Sequence, residues 1–146
     1  MYNIRMRIYI AHPTSIDYKK EIYEPLRNDD FFLEHELVLP HEEGVDIHNS
    51  REDYKSYDVV IAECSEPSIG VGIELGWFYD DKKLIYCFVK SGVNPSSAIS
   101  SIAEEIINYN NKKDFVERAK SIIKKKLPRS AHTAPCKNFD TCIISN

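Results

Sequence analysis

The chain has 146 residues, 42% of them hydrophobic and 29% charged, which suffices for the core of one globular domain. Its net charge of −4 argues against a general nucleic-acid-binding protein, since such proteins are usually basic. No apolar run approaches the ~20 residues of a membrane span, and Met1–Arg7 shows no hydrophobic segment of a signal peptide. We therefore expect a cytoplasmic protein that binds neither nucleic acid nor a membrane.

The first half of the chain alternates between strand and helix patterns. Arg5–Ala11 predicts the first strand, and Thr14 to about Arg27 predicts a helix that Pro25 kinks or ends. His35–Leu39 predicts a second, shorter strand. A loop rich in His and Glu follows from Pro40 to Asn49.

The second half continues the alternation after a short helix that ends at Ser56, with Asn49 or Ser50 as its cap. The predicted elements are a third strand at Asp58–Glu63, a helix at Gly72–Asp81, a fourth strand at Lys83–Val89, a short Ser/Ala/Ile segment, a fifth strand at Glu105–Tyr109 and a charged amphipathic helix at Asn111–Leu127. Phe115, Ala119, Ile122 and Ile123 form the inner face of that last helix.

This alternation predicts an α/β fold with a five-stranded parallel sheet and helices on both faces, because parallel strands need crossover connections. We expect one domain over residues 1–127. The tail at 128–146 has no periodicity and is expected to be mobile. Ligands of such folds bind at the carboxyl ends of the strands. In this chain those ends carry most of the unusual polar residues, including His12 and His41.

The most informative segment is residues 58–76, where a β-branched run breaks at Pro67-Ser68 and passes Gly70 and Gly72 before Glu74. Glycines at a strand-to-helix turn allow backbone N–H groups to approach a ligand, and a helix N-terminus favours anions. A phosphate site beside a carboxylate indicates chemistry on a sugar phosphate, with Glu74 as base or nucleophile.

The four cysteines predict no metal site. Cys64 and Cys87 lie in apolar strand segments and are expected to be buried free thiols. Cys136 and Cys142 lack neighbouring His or Cys at the spacing of a zinc site.

Three parts of the sequence carry a resemblance to a known family: Tyr9 near the end of the first strand, the strand from Asp58 to Glu63, and the motif Pro67-Ser68-x-Gly70-x-Gly72-x-Glu74-Leu75-Gly76. They resemble the nucleoside 2-deoxyribosyltransferase superfamily, and within it the 2'-deoxynucleoside 5'-phosphate N-hydrolases. The likeness covers about residues 6–125, and its specific part is the block at 58–76.

The resemblance implies a flavodoxin-like three-layer fold, a homodimer, and cleavage of the base–sugar bond of a (deoxy)nucleoside 5'-monophosphate without a metal or organic cofactor. Glu74 matches the family's nucleophile, and Tyr9 matches the tyrosine that positions it. Ser68 matches a serine that binds the 5'-phosphate. Ser97 fits a serine that the neighbouring subunit contributes. Gly70 and Gly72 complete the implied phosphate site.

The chain departs from the family where a proton donor for the leaving base is expected. Ser50 stands eight residues before Asp58, in the place of an aspartate. Asp53 and Glu52 are nearby candidates for that acid. Glu42 and His41, in the loop after the second strand, are two more, and His41 is also a candidate substrate contact. His12 and Pro13 replace a small Gly/Ser-rich turn, so His12 is a further candidate contact.

Each of these residues also has a purely structural interpretation. Glu74 suits the first turn of a helix, Tyr9 suits a core, and Ser68 suits a helix cap. Three functions therefore stay open: an N-glycosidase of nucleoside monophosphates, a deoxyribosyltransferase that moves the sugar between bases, and a non-catalytic nucleotide-binding module. The helix at Trp77-Phe78-Tyr79 is the predicted dimer contact.

Overall fold

The computed structural model describes residues 4–44 and 53–127 of the chain. Its strands are β1 (Arg7–Ala11), β2 (Glu36–Val38), β3 (Val59–Glu63), β4 (Leu84–Lys90) and β5 (Glu105–Tyr109). Its helices are α1 (Glu24–Arg27), α2 (Asp30–Leu33), α3 (Ile69–Asp80), α4 (Ser97–Ile102) and α5 (Lys112–Lys126), with a π-helical turn at Lys19–Tyr23 and a 3₁₀ turn at Asp53–Ser56. The predictions for Asn49, Ser50, Glu52, Cys136, Cys142 and the tail at 128–146 lie outside the described residues.

The five strands form one parallel sheet in the order β2-β1-β3-β4-β5. This arrangement confirms the predicted α/β architecture. Its strand order is that of flavodoxin-like folds, whose ligand site lies at the switch point, where the order of the strands reverses. Here that switch point lies between β1 and β3. Tyr9 lies on β1, between β2 and β3, and pairs with Val38 on one side and Val60 on the other.

Each face of the sheet is covered by its own apolar cluster. The helical turn at Lys19–Tyr23, α1 and α5 pack on one face, where the predicted inner face of α5 is fully confirmed by Phe115, Ala119, Ile122 and Ile123. On the other face, α3 packs through Val71, Leu75 and Phe78. Cys64 and Cys87 belong to this second cluster and are buried free thiols, as predicted. The two clusters leave the carboxyl edge of the sheet as the place where loops from both faces meet.

The helix predicted from Thr14 is wrong in its start and in its type. Regular structure begins only at Lys19, and the first five residues form a π turn in which the N–H of Glu24 bonds to the carbonyl of Lys19. Pro25 has no N–H to donate, which favours the wider turn ahead of it. The sequence interpretation also missed α2, which Asp29 caps by accepting a hydrogen bond from the backbone N–H of Phe31 at 3.0 Å.

Four of the five strands begin one or two residues later than predicted, and β2 at Glu36 and β4 at Leu84 are two of them. β1 begins at Arg7 and β3 at Val59. The Asp58 carboxylate accepts a hydrogen bond from the Arg7 backbone N–H at 2.7 Å, so Asp58 joins the starts of these two strands. Within residues 4–44 and 53–127, no helix has both the length and the apolar character that crossing a bilayer requires.

Candidate active site

Tyr9 and Glu74, which are 65 residues apart in the sequence, meet at the carboxyl edge of the sheet. The Tyr9 hydroxyl donates a hydrogen bond of 3.2 Å to Glu74 Oε2, which confirms the predicted contact between them. Tyr9 is fully buried. Its ring packs against the rings of Tyr54, Tyr57 and Phe78 at centroid distances of 5.6, 5.0 and 5.2 Å. The hydroxyl is therefore fixed by a rigid aromatic cluster and can orient the carboxylate.

Glu74 lies in the second turn of α3, which corrects the prediction that it would lie in the first. The helix begins at Ile69 because the Ser68 side chain caps it, accepting a hydrogen bond from the Val71 backbone N–H at 3.3 Å. Favourable interaction between a carboxylate and the helix dipole fades beyond the first turn. The structural interpretation of Glu74 as a first-turn acid therefore does not apply.

Burial raises the pKa of the half-buried Glu74 carboxyl to about 7, and the hydrogen bond from Tyr9 acts in the opposite direction. Desolvation disfavours the charged form, whereas a donor to the carboxylate favours it. Burial of the Tyr54 hydroxyl, together with the Glu74 charge, raises the pKa of Tyr54 to about 12. Glu74 thus exchanges its proton close to neutral pH, as acid–base and nucleophilic groups of active sites often do.

This raised pKa predicts a pH-dependent gain in stability for Glu74→Gln. An acid whose pKa is higher in the folded state than in the unfolded state loses stability as the pH rises from about 4.5 through about 7. Glutamine has no charge to desolvate, so the variant should be more stable than the parent by about 1–2 kcal/mol at pH 8, after allowance for the solvent-exposed part of the carboxyl. At pH 4 the difference should vanish. Urea unfolding at both pH values measures it, and an equal difference at both would contradict the assignment.

Ser68, Gly70 and Gly72 lie together at the start of α3, and the two glycines are part of the helix, not of a loop before it. The backbone of neither glycine is in the left-handed region. A Cβ at Gly72 would meet nothing within 4 Å, and one at Gly70 would meet only Ser68 Oγ at 4.0 Å. The fold itself therefore does not require glycine at these positions, and they leave the helix surface open to an approaching group.

Ser97 is the exposed first residue of α4, a helix that packs beside α3. The adjacent Ser96 caps α4 by accepting a hydrogen bond from the Ala98 backbone N–H at 3.3 Å. Among the hydrogen bonds of residues 4–44 and 53–127, none joins Ser97 to Ser68 or Glu74.

His12 is buried directly after β1 and holds the loop that follows β2. Its Nδ1 donates to the Pro13 carbonyl at 3.0 Å, which leaves Nε2 to accept from the Tyr23 hydroxyl at 2.6 Å. The Tyr23 hydroxyl in turn accepts from the His41 backbone N–H at 3.0 Å. Burial lowers the pKa of His12 to about 4, so its ring is neutral at physiological pH. Both of its ring nitrogens are engaged within the fold, while the His41 side chain is exposed.

The carboxylates offered as proton donors have different surroundings. Glu42 accepts two hydrogen bonds from the Arg27 guanidinium, at 2.8 and 2.7 Å, and this pair lowers the pKa of Glu42. Glu42 is therefore a poor donor at neutral pH. Asp53 begins the 3₁₀ turn beside Tyr54 and Tyr57, and its charge contributes to raising the pKa of both phenols. This places Asp53 near the aromatic cluster around Tyr9.

Several residues of this region escaped the sequence interpretation. Tyr23, Tyr54 and Arg27 each act through a partner that is distant in the chain, so no local pattern marked them. Glu63 has a structural role: it is buried and accepts hydrogen bonds from the Tyr109 hydroxyl at 3.0 Å and from Ser65.

Residues 4–44 and 53–127 contain no group of three His, Cys, Asp or Glu side chains that could hold a metal ion.

Comparison with known proteins finds likeness in structure alone. No family model and no curated protein sequence matches the chain. Among solved structures, a CMP N-glycosidase from Clostridium botulinum matches with a TM-score of 0.60 at 21% identity, covering 80% of this chain and 98% of that one. A conserved protein from Enterococcus faecalis V583 matches with a TM-score of 0.58 at 15% identity, covering 82% of this chain and 99% of that one. The translation elongation factor SelB from Methanococcus maripaludis matches over 36% of its own chain, and over 85% of this one, with a TM-score of 0.53 at 14% identity. At these identities the matches establish the three-layer α/β fold.

Proposed function

We propose that the protein is an N-glycosidase that cleaves the base–sugar bond of a (deoxy)nucleoside 5'-monophosphate, with Glu74 as nucleophile. The observation that carries the proposal is the Glu74 carboxyl, half-buried at the switch point and oriented by the Tyr9 hydroxyl at 3.2 Å. The fold shared with a CMP N-glycosidase supports it. A panel of nucleosides and nucleoside monophosphates, followed by chromatography of the released base, tests it. Release of no base from any member would overturn it.

The chemistry requires a negative group on one side of the sugar. As the base leaves, positive charge develops at C1', and the Glu74 carboxylate stabilises this charge or bonds to C1', as in retaining glycosidases. Water then attacks C1', gives a proton to the conjugate base of the acid that protonated the leaving base, and releases the sugar phosphate with the Glu74 carboxylate restored. Tyr9 holds the carboxylate in place through both steps. The charged form is required throughout, so activity should rise with pH towards and beyond the Glu74 pKa of about 7.

The departing base takes up a proton from a second acid. Asp53 is a candidate for this acid, because it lies next to the aromatic cluster that positions Glu74. Glu52, which lies outside the described residues, and His41, whose side chain is exposed, are the other candidates. The Arg27 pair removes Glu42 from consideration. We propose Asp53 as the first variant to examine, as Asp53→Asn.

We further propose that Ser68, with the open helix start at Gly70 and Gly72, receives the 5'-phosphate. In capping α3, the Ser68 oxygen accepts one hydrogen bond, which leaves its O–H free to donate to a phosphate oxygen. Backbone N–H groups at the start of a helix favour a bound anion.

Ser68→Ala should weaken binding of the monophosphate by about 1–3 kcal/mol, the scale of a hydrogen bond to a charged group, and leave binding of the unphosphorylated nucleoside almost unchanged. Calorimetric titration of both ligands measures the difference. The variant also loses a helix cap, so Asn111→Ala is the matched control: Asn111 caps α5 in the same way, accepting from the Asp114 backbone N–H at 2.9 Å. Equal weakening of both ligands would contradict a phosphate contact.

A deoxyribosyltransferase would use the same nucleophile but pass the sugar to a second base. Incubating the protein with a nucleoside and a second free base, against a monophosphate alone, separates the two reactions. A non-catalytic nucleotide-binding module would bind the same compounds and release no base.

We propose a homodimer in which Ser97 of the partner subunit reaches the phosphate site. Of the predicted contact at Trp77-Phe78-Tyr79, Phe78 is fully buried within its own protomer, whereas Tyr79 is 56% exposed. Ile69 (85% exposed) and Ile73 (50%) are the other exposed large apolar side chains of α3. Tyr79 lines an open cavity of about 710 Å³ between α3, α4 and β4, to which Ile69 and Ile73 do not contribute. Light scattering should show a dimer at tens of micromolar, and a monomer would remove Ser97 from the site.

A further inference from the structure

A hydrogen bond joins the two loops that border the switch point. Ser15 lies in the loop after β1, and Glu66 lies in the loop after β3, two residues before the helix cap Ser68. The Ser15 hydroxyl donates to Glu66 Oε2 at 2.6 Å across this boundary. Because β1 and β3 are the strands between which the chain order reverses, the bond spans the mouth of the crevice where a ligand of this fold binds.

Within residues 4–44 and 53–127, Glu66 is an exposed carboxylate without the Lys or Arg partner that several other carboxylates have. Glu36, Glu42, Glu43, Asp29 and Asp114 each lie within 4 Å of a Lys or Arg nitrogen. In the same described ranges, Glu66 is held by a neutral hydroxyl and forms no ion pair. Segment 63–74 contains Glu63, Glu66 and Glu74 but no Lys or Arg. Among the described residues, no Lys or Arg side chain pairs with Glu66, and its negative charge lies next to the start of α3.

We propose that Glu66 sets the preference of the site between a nucleoside and its 5'-monophosphate. The inference rests on the proposed function, in which the 5' end of the substrate lies at Ser68. There, a phosphate dianion is attracted by the start of α3 and repelled by the Glu66 carboxylate, whereas an uncharged 5'-hydroxyl can donate to that carboxylate in place of Ser15. Glu66 thus lowers the advantage of the phosphate and keeps unphosphorylated nucleosides as competing substrates.

The size of the effect follows from charge and distance. A single negative charge that acts on a dianion near the protein surface, within several ångströms, changes affinity by about tenfold at moderate salt. The effect must weaken as salt rises, because ions screen interactions between exposed charges. A role of Glu66 in folding alone would change both substrates alike and would show no such salt dependence.

The experiment compares deoxycytidine with dCMP in four proteins: the parent, Glu66→Gln, Ser15→Ala and Glu105→Gln. The last variant removes the same charge at the opposite edge of the sheet, where Glu105 begins β5. The readouts are kcat/KM for base release and, in a Glu74→Gln background, the Kd of each ligand by calorimetry.

Glu66→Gln should raise the dCMP-to-deoxycytidine ratio about tenfold through KM and Kd, and this gain should shrink in 0.5 M NaCl. Ser15→Ala keeps the charge of Glu66 and frees its carboxylate to accept from a 5'-hydroxyl, so it should lower the ratio. Glu105→Gln should leave the ratio unchanged. An unchanged ratio in Glu66→Gln, or the same shift in Glu105→Gln, would overturn the inference. If neither compound releases base but Glu66→Gln still tightens dCMP binding, only the proposed function fails; if neither compound binds, both fail.

Discussion

Glu74→Gln should lower the rate of base release by about a thousandfold or more, while the substrate still binds. Glutamine keeps the shape of the side chain and can still accept the hydrogen bond from Tyr9, but it has no negative charge to stabilise or capture C1'. Single-turnover measurements of released base, together with calorimetric titration of the nucleotide, separate the chemical step from binding.

The control for this variant is Glu117→Gln on the outer face of α5, where a carboxylate is removed far from the switch point. Its turnover should match that of the parent protein. Parent-like turnover in Glu74→Gln, on every substrate that the parent cleaves, would show that Glu74 is not the nucleophile.

Tyr9→Phe should slow base release by about tenfold to a hundredfold and move the pH profile upwards. The Tyr9 hydroxyl lowers the Glu74 pKa by hydrogen bonding to the carboxylate, so its removal raises that pKa above about 7. The rising limb of kcat/KM against pH should then shift to higher pH, and part of the lost rate should return at pH 9. A purely structural defect would reduce the rate equally at every pH.

Tyr57→Phe is the matched control for Tyr9→Phe. Tyr57 belongs to the same aromatic cluster, with its ring centroid 5.0 Å from that of Tyr9, and the variant also loses one phenolic hydroxyl. Among the described residues, Tyr9 donates a hydrogen bond to Glu74 and Tyr57 does not. The pH profile of Tyr57→Phe should keep the midpoint of the parent protein, and an equal shift in both variants would exclude a specific role for the Tyr9–Glu74 bond.

The layout of the fold was predictable because its signals are local. β5 has the predicted bounds Glu105–Tyr109, and the buried side of α5 follows the helical spacing of Phe115, Ala119, Ile122 and Ile123. Element ends were less predictable, since single side-chain contacts decide them. Ser68 starts α3 earlier than the glycines suggested, and the missing N–H of Pro25 favours a π turn that no hydrophobic period indicates.

The candidate site was predictable only in part. The meeting of Tyr9 with Glu74 came from the family resemblance, and the structure contains that contact. The roles of the neighbouring side chains depend on partners brought together by the sheet, as when Arg27 neutralises Glu42 or when Tyr23 connects His12 to the His41 backbone. Such pairings join segments that follow different strands, so the sequence contains no spacing that reveals them.

The three glycines of α3 have a consequence for motion. Gly70, Gly72 and Gly76 each weaken a helix by about 0.5–1 kcal/mol relative to alanine, and no contact of the described fold requires any of them. Amide hydrogens in the first half of α3 should therefore exchange with solvent through local opening, while those of β1, between two paired strands, should exchange only on global unfolding. Glu74 would then lie in α3, which opens locally, and Tyr9 in β1, which opens only when the whole domain unfolds. A bound ligand that closes on the helix start should slow the exchange of α3 selectively.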